Sequence, residues 1–465
     1  MNSATNIRFI AAIVAASTIG GFMFGYDSGV INGTQAGLEA AFDLAEVGTG
    51  LTVGAILIGC AIGAFVAGRM ADVLGRRSVM MIAAILFLLS AVGAAVAGSA
   101  TVFVIARLIG GFGVGAASVI SPVYISEVTP ASLRGRLATV QQIMIITGLT
   151  GAFVANYVLA QVAGSSTAPF WLGIPAWRWM FLMQVIPAAV YFLALLPIPE
   201  SPRFLVLKGR KEQAHAVLTK LFGSEEADRK VVEIRASLAE DHRPRLSDLI
   251  DPSTGSIRKI VWTGVGLAVF QQLVGINIIF YYGAVLWQSV GFTEADALQN
   301  NILSGSLSIL ACLATVLLID RIGRKPLLLI GSAGMAVTLA IVAYCFSMAG
   351  LAPDGSVELA PEIGRIALIS ALAYVVFFNL SWGPVMWVML GEMFPTQIRG
   401  SGLAFSGFAQ WIANFMISVS FLWLAKNIGL PATYGFYAAS AAISLFFVRS
   451  FVHETKGREL EAMEG

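Results

Sequence analysis

"GRMADVLGRR" occupies residues 68–77, and "IDRIGRKP" occupies residues 319–326. Each follows an apolar run, and the two share Asp-x-x-Gly-Arg followed by Arg or Lys, counted from Asp72 and from Asp320. Two further pairs recur in the same order. "EVTPASLRG" at 127–135 returns as "EMFPTQIRG" at 392–400, with Glu, Pro, Arg and Gly at identical spacing. "PESPR" at 199–203 is answered by "HETKG" at 453–457. Matched loops in matched order mark an internal repeat. The expected architecture is two six-helix halves related by an axis along the membrane normal, as in transporters that alternate access between halves.

Composition requires the membrane. The chain has 465 residues, is 57% hydrophobic and only 12% charged, and has a mean hydropathy of +0.81. Soluble domains carry about 25% charged residues, so this chain cannot cover a water-facing surface of its size. The net charge of +2 comes without a clustered basic patch, which argues against a nucleic-acid partner. Cys60, Cys312 and Cys345 lie in apolar runs, with no Cys or His at metal-ligand spacing. They read as small buried hydrophobes, and neither a disulfide framework, a metal nor a cofactor is expected. The first apolar run is longer than a signal-peptide core of about 7–15 residues and reads as a retained helix.

Runs of about 20 apolar residues, the length that crosses a bilayer, fall at 8–31, 49–71, 78–98, 101–126, 136–160 and 177–197. After a polar stretch, six more fall at 258–288, 298–319, 326–349, 365–391, 402–424 and 431–451. The expected fold is an all-α membrane protein of twelve spans. Its parts are an N-terminal half (1–197), a cytoplasmic linker (198–257), a C-terminal half (258–451) and a tail (452–465). With the N-terminus inside, every Lys and Arg except Arg107, Arg178, Arg365 and Lys426 lies at a cytoplasmic end, loop or tail, as the positive-inside rule requires. In the linker, Ala214, Val217, Leu218, Leu221 and Phe222 follow helical spacing, and Val231, Ile234 and Leu238 suggest a second helix.

With these motifs assembled, the sequence resembles the sugar porter family of the major facilitator superfamily over essentially its whole length. The motifs are GRxADxxGRR, ExxPxxxRG in both halves, PESPR, QQxxGIN, and SWGPxxW before a Glu. It is similar both to bacterial proton-coupled xylose and galactose symporters and to the facilitative glucose transporters of animals. One departure is His453, where the family usually has Pro.

The loop charges have two readings. Ordinary interfacial solvation or static packing is the first. The duplicated spacing favours the second, a cytoplasmic gate of charge-assisted hydrogen bonds between helices and halves. The resemblance assigns that role to Arg76, Arg77, Glu127, Arg134, Glu200, Arg324, Glu392, Arg399 and Glu454.

Asp27 and Arg107 are the two clearest charges within spans. Each lies four to six residues from the outer end of its helix, which at a 1.5 Å rise places both roughly 6–9 Å below the boundary. A buried ion pair is the simplest arrangement, and such intramembrane groups are functional by default. The bland alternative is a structural pin. The functional reading is a proton carrier: Asp27 is ionised beside Arg107 and favours protonation if the arginine swings away. The resemblance points the same way, since proton symporters of the family carry Asp here and facilitative carriers carry Asn.

A sugar needs amides for its hydroxyls and aromatic rings for its C–H faces. "FQQLVGINIIFYY" (270–282) supplies Gln271, Gln272, Asn277 and Tyr281, and Gly275 is placed to break the helix so that the amides converge. "SWGPVMW" (381–387) supplies Trp387, and "AQWIAN" (409–414) supplies Gln410, Trp411 and Asn414. Gln142, Trp387 and the helix-11 group match sugar-contacting positions of the family. Ser308 stands where related carriers have Asn, and Leu149 stands where the xylose symporter has Gln. These departures favour a hexose such as D-glucose over a xylose copy, with a disaccharide or polyol left open.

The expected function is sugar–proton symport of a monosaccharide by alternating access. The protein would lie in the plasma (bacterial inner) membrane among lipids, with both termini cytoplasmic and the monomer as the family default. Facilitative uniport and a sugar-binding sensor are the alternatives. An enzyme is not expected, because His215, His242 and His453 sit in no catalytic motif.

Overall fold

The computed structural model describes residues 6–130, 134–240, 246–251, 254–351, 357–395 and 398–456. Among them, twelve helical stretches are long and apolar enough to cross a membrane. Spans 1–6 are Ile7–Gly33, Val47–Leu74, Arg76–Val96, Ala100–Val128, Val140–Ala163 and Ala176–Leu195. Spans 7–12 are Lys259–Gln288, Glu294–Ile322, Arg324–Ser347, Pro361–Met393, Arg399–Asn427 and Leu430–Phe451. Several run beyond the apolar runs because charged residues continue the helix past the hydrocarbon. Arg178 and Arg365, expected at the outer ends of their runs, lie near the starts of spans 6 and 10. Arg178 spends its guanidinium on the carbonyls of Ala95 and Ala97 at the end of span 3 (2.8 Å each).

The two halves repeat their packing. Span 1 packs on 5, 2 on 4, and 3 on 4 and 6; six spans later, 7 packs on 11, 8 on 10, and 9 on 10 and 12. The halves meet where span 2 lies on span 11 and span 5 on span 8. Glycine permits the closest crossings. A Cβ on Gly25 would sit 1.7 Å from the Ile145 carbonyl oxygen, and one on Gly148 would sit 2.0 Å from that of Phe22. Spans 2 and 4 interlock the same way, through Gly59 against Leu108 and Gly111 against Ile56. Small residues that let backbones touch are how helices associate where lipid removes the hydrophobic drive.

The first and last described residues, Asn6 and Lys456, lie on one face, here the terminal face; the other is the distal face. Between spans 6 and 7 the terminal face carries short helices Pro202–Leu207, Lys211–Phe222 and Ser224–Glu240. Ala214, Leu218, Leu221 and Phe222 are buried, and Asn6 N–H donates to the Leu221 carbonyl (2.9 Å). Leu238 lies outside the residues with described side chains.

Three spans are interrupted. Span 7 breaks at Gly275, whose φ of +80° is open to glycine and strained for other residues. Span 10 breaks at Ser381, directly before Trp382. Span 6 has a discontinuity at Met183–Gln184 that periodicity did not predict.

Candidate functional site

Asp27 and Arg107 form the expected pair. Both are buried, and Arg107 Nη1 donates to Asp27 Oδ1 at 2.7 Å. Arg107 Nη2 also reaches the Asp27 carbonyl (3.3 Å), and its guanidinium lies 5.7 Å from the Phe181 ring centroid. A third member was missed from sequence. Gln184, buried at the break in span 6, donates from Nε2 to the same Oδ1 at 2.9 Å. Asp27 Oδ2 and Arg107 Nε have no hydrogen-bond partner among the described residues. The carboxylate is therefore held through one oxygen, with the other unused.

The amides of span 7 converge because the helix breaks between them. Asn277 Nδ2 donates to Gln272 Oε1 (2.6 Å), and Gln272 Nε2 donates to Gln271 Oε1 (3.1 Å). Gln410 Nε2 donates to that same oxygen from span 11 (2.8 Å). Gln271 Nε2 in turn donates to the Trp382 carbonyl, in the first turn of the helix that restarts after the break in span 10 (2.9 Å). Four amides and one backbone carbonyl thus form a continuous donor–acceptor chain. Further along, Tyr281 is buried beside Asn414 and Ser28. Asn414 Oδ1 accepts from Ser418 (3.2 Å). Trp411 is buried, its ring 5.8 Å from Phe24 of the other half. Ser28 is the immediate neighbour of Asp27, so span 1 places the ion pair one residue from a side chain that touches the polar group.

Not every expected residue joins the chain. Ser308 is buried and bonds the Ser304 carbonyl (2.8 Å) and the Asn379 amide (3.0 Å) instead. Asn379 was missed; a lone Asn in the tenth apolar run was its only signal. Gln142 is partly exposed, while its neighbour Gln141 is buried against Gly21. Trp387 is 38% exposed, whereas Trp382 is a core ring whose indole N–H reaches Ser332 Oγ (3.0 Å) and the Leu328 carbonyl.

At the terminal face the charges form two copies of one network. Arg76 Nε bonds Glu127 (3.1 Å) and Arg324 Nη2 bonds Glu392 (2.8 Å). Each arginine also bonds the aspartate four residues earlier, Asp72 or Asp320. Glu200 accepts the backbone N–H groups of Arg76, Arg77 and Ser201. Glu454 accepts those of Arg324, Lys325, Thr455 and Lys456. Ser201 and Thr455 donate hydroxyls to Glu127 and Glu392. The expectation of bonds between halves is met differently here: these bonds join helices within each half, because the partners stand on neighbouring helix ends. Arg399 Nε bonds the Phe394 carbonyl (3.3 Å); the side chain of Arg134 lies outside the described residues.

Residues 12–465 match the family described as "Sugar (and other) transporter". The chain is 47% identical over 462 residues to the glucose transport protein of Synechocystis sp., covering 99% of this chain and 98% of that one. It is 37% identical over 497 residues to the D-xylose-proton symporter of Escherichia coli, covering 100% and 97%. The inward-open structure of the E. coli xylose transporter XylE superposes with a TM-score of 0.81 at 36% identity, covering 98% of this chain and 99% of that one.

Proposed function

Because the chain belongs to the sugar porter family of multi-pass membrane sugar transporters, we propose that it imports a monosaccharide, most simply D-glucose, together with a proton. The observation that carries this reading is the one-oxygen grip on Asp27. While Arg107 and Gln184 hold Oδ1, charge-assisted bonds favour the carboxylate. If Arg107 moves, a buried carboxylate is left with a single neutral donor, and a proton on the unused Oδ2 removes the charge. Protonation is thereby tied to the position of span 4 relative to span 1.

The sugar lies against the amide chain of spans 7, 10 and 11. Its hydroxyls exchange with the bonds that Gln271, Gln272, Asn277 and Gln410 make to one another, so binding leaves few buried polar groups unpaired. Trp387 and Trp411 supply rings, and Gln142 supplies a donor from the other half. Coupling runs from Asp27 through Ser28 to Tyr281. The two halves rock about this site with the terminal face cytoplasmic, and the duplicated charge networks keep each half rigid. The glucose relative supports the hexose, and the xylose–proton relative supports symport.

Uptake of labelled glucose, galactose and xylose into proteoliposomes, with and without an imposed proton gradient, tests this. Accumulation above the external concentration only with the gradient is expected. Equilibration indifferent to the gradient would make the protein a uniporter and Asp27–Arg107 a structural pin.

A further inference from the structure

Span 1 ends in a 3-10 turn, Ile31–Gly33, that places the buried Asn32 at the distal seam between the halves. Asn156 of span 5 donates to the carbonyls of Gly29 and Val30 (3.3 and 3.1 Å), which ties this turn to the first half. Among the described residues, every partner of the Asn32 amide belongs to the second half. Nδ2 donates to the carbonyls of Phe280 (2.8 Å) and Ile279 (3.3 Å). Oδ1 accepts the Ala284 backbone N–H and Asn301 Nδ2, both at 2.9 Å.

Phe280 and Ala284 are four residues apart in span 7, the pair that a regular helix bonds to each other. The Asn32 carboxamide offers its donor to the carbonyl and its acceptor to the N–H, so it brackets one rung of the helix. Gln35 adds a single donor one residue on, to the Tyr281 carbonyl, while its own Oε1 has no hydrogen-bond partner among the described residues. Gly283 makes room, since a Cβ there would lie 2.5 Å from Asn301 Oδ1 and 3.2 Å from Asn32 Nδ2. Asn32 and Gln35 also line a cavity of about 340 Å³ at this seam, with Glu39, Gln288 and Glu294.

We propose that Asn32 is a positioning residue of the transport cycle, an amide latch that closes the distal seam by bracketing a helix rung and releases that rung when it opens. As the halves part, Phe280 and Ala284 have each other as helix partners, and the freed amides of Asn32 and Asn301 meet water in the widening cavity. Opening therefore orphans no buried backbone group, which makes the closure specific and reversible. The inference rests on the transport reading only for its place in the cycle.

The test is a distance measurement without sugar. Ala41 and Gln299 are exposed, one on each half at the distal face, while Cys60, Cys312 and Cys345 are buried. Spin labels on A41C and Q299C, read by double electron–electron resonance in nanodiscs, report opening of that seam. Asn32→Ala is expected to raise the ratio of long to short distances about tenfold, the weight of one net hydrogen bond. Asn32→Asp, which cannot donate to Phe280, should do the same, and Gln35→Ala should shift the ratio the same way by less. A folded Asn32→Ala protein with the parent's distances overturns the proposal. If Asn32→Ala does not fold, unchanged distances in both Gln35→Ala and Asn301→Ala overturn it as well. Parent vesicles that take up no sugar would sink the transport reading and leave the distance result intact.

Discussion

Asp27 uses one carboxylate oxygen for two donors and leaves the other free. Replacing it with Asn keeps the shape and removes the charge that a proton would cancel. Asp27→Asn vesicles should exchange sugar across the membrane at near-parent rates and lose uphill accumulation; retained accumulation would remove Asp27 from coupling. Gln271 carries the polar site, because it bonds Gln272, Gln410 and the Trp382 carbonyl at once. Gln271→Leu leaves two amide donors without their acceptor and takes one from the sugar. A loss of about 1–3 kcal/mol per unpaired buried group predicts sugar binding weaker by roughly tenfold or more in calorimetry of the folded variant. Unchanged affinity would place the sugar elsewhere. The ion pair was legible in the sequence because charges are rare in apolar runs. Gln184 and Asn379 were not, because a lone amide in such a run is equally good as helix glue, and only the fold brings it to a carboxylate or a serine.

Helices break here where the backbone allows it. Gly275 was recognisable in sequence as a breaker, and its φ of +80° turns the amides before and after it onto one another. A Cβ at this position would meet the Tyr437 ring at 2.7 Å. Gly275→Ala combines that clash with left-handed strain, of order 1–3 kcal/mol, and should lower the thermal midpoint together with sugar affinity. A stable variant with normal binding would mean the break tolerates a side chain. Helix starts carry the other element-level device, the carboxylate caps of spans 3 and 9. Burial pushes the Glu454 carboxyl up, but backbone N–H groups of Lys456, Arg324, Lys325 and Thr455 outweigh it and hold the group below its ordinary value. A lowered value means the cap stabilises fully above the usual carboxylate range, near 4.3, and loses that contribution as pH falls through the lowered value. The thermal midpoint should drop across that acid window, and Glu454→Gln should flatten the drop. An unchanged slope would show that the cap carries no stability. The cap was invisible in sequence, where Glu454 was only a charge in a repeated motif.

Across the whole molecule, duplication is the property that one sequence displayed most openly, since its loops repeat a few key residues in the same order. The structure extends the repeat to bonds that no motif announces: Ser201 and Thr455 each donate to the glutamate that holds the arginine. What the repeat could not tell was where those bonds run, because spacing along the chain is the same for a bridge inside a half and a bridge between halves. Their confinement to each half has a thermodynamic consequence. Removing one partner of a buried pair costs about 3–5 kcal/mol. The Arg76–Glu127 pair, with both side chains 9% exposed, is closer to that limit than Arg324–Glu392, where the glutamate is 29% exposed. Arg76→Gln should therefore destabilise more than Arg324→Gln. Two networks that share no partner among the described bonds should also add, so the double variant should match the sum of the single losses within about 0.5 kcal/mol. Chemical unfolding of the three variants in one detergent measures this. A coupling term above about 1 kcal/mol would mean that the two halves exchange charges across the seam, and the networks would then act as a gate rather than as two independent braces.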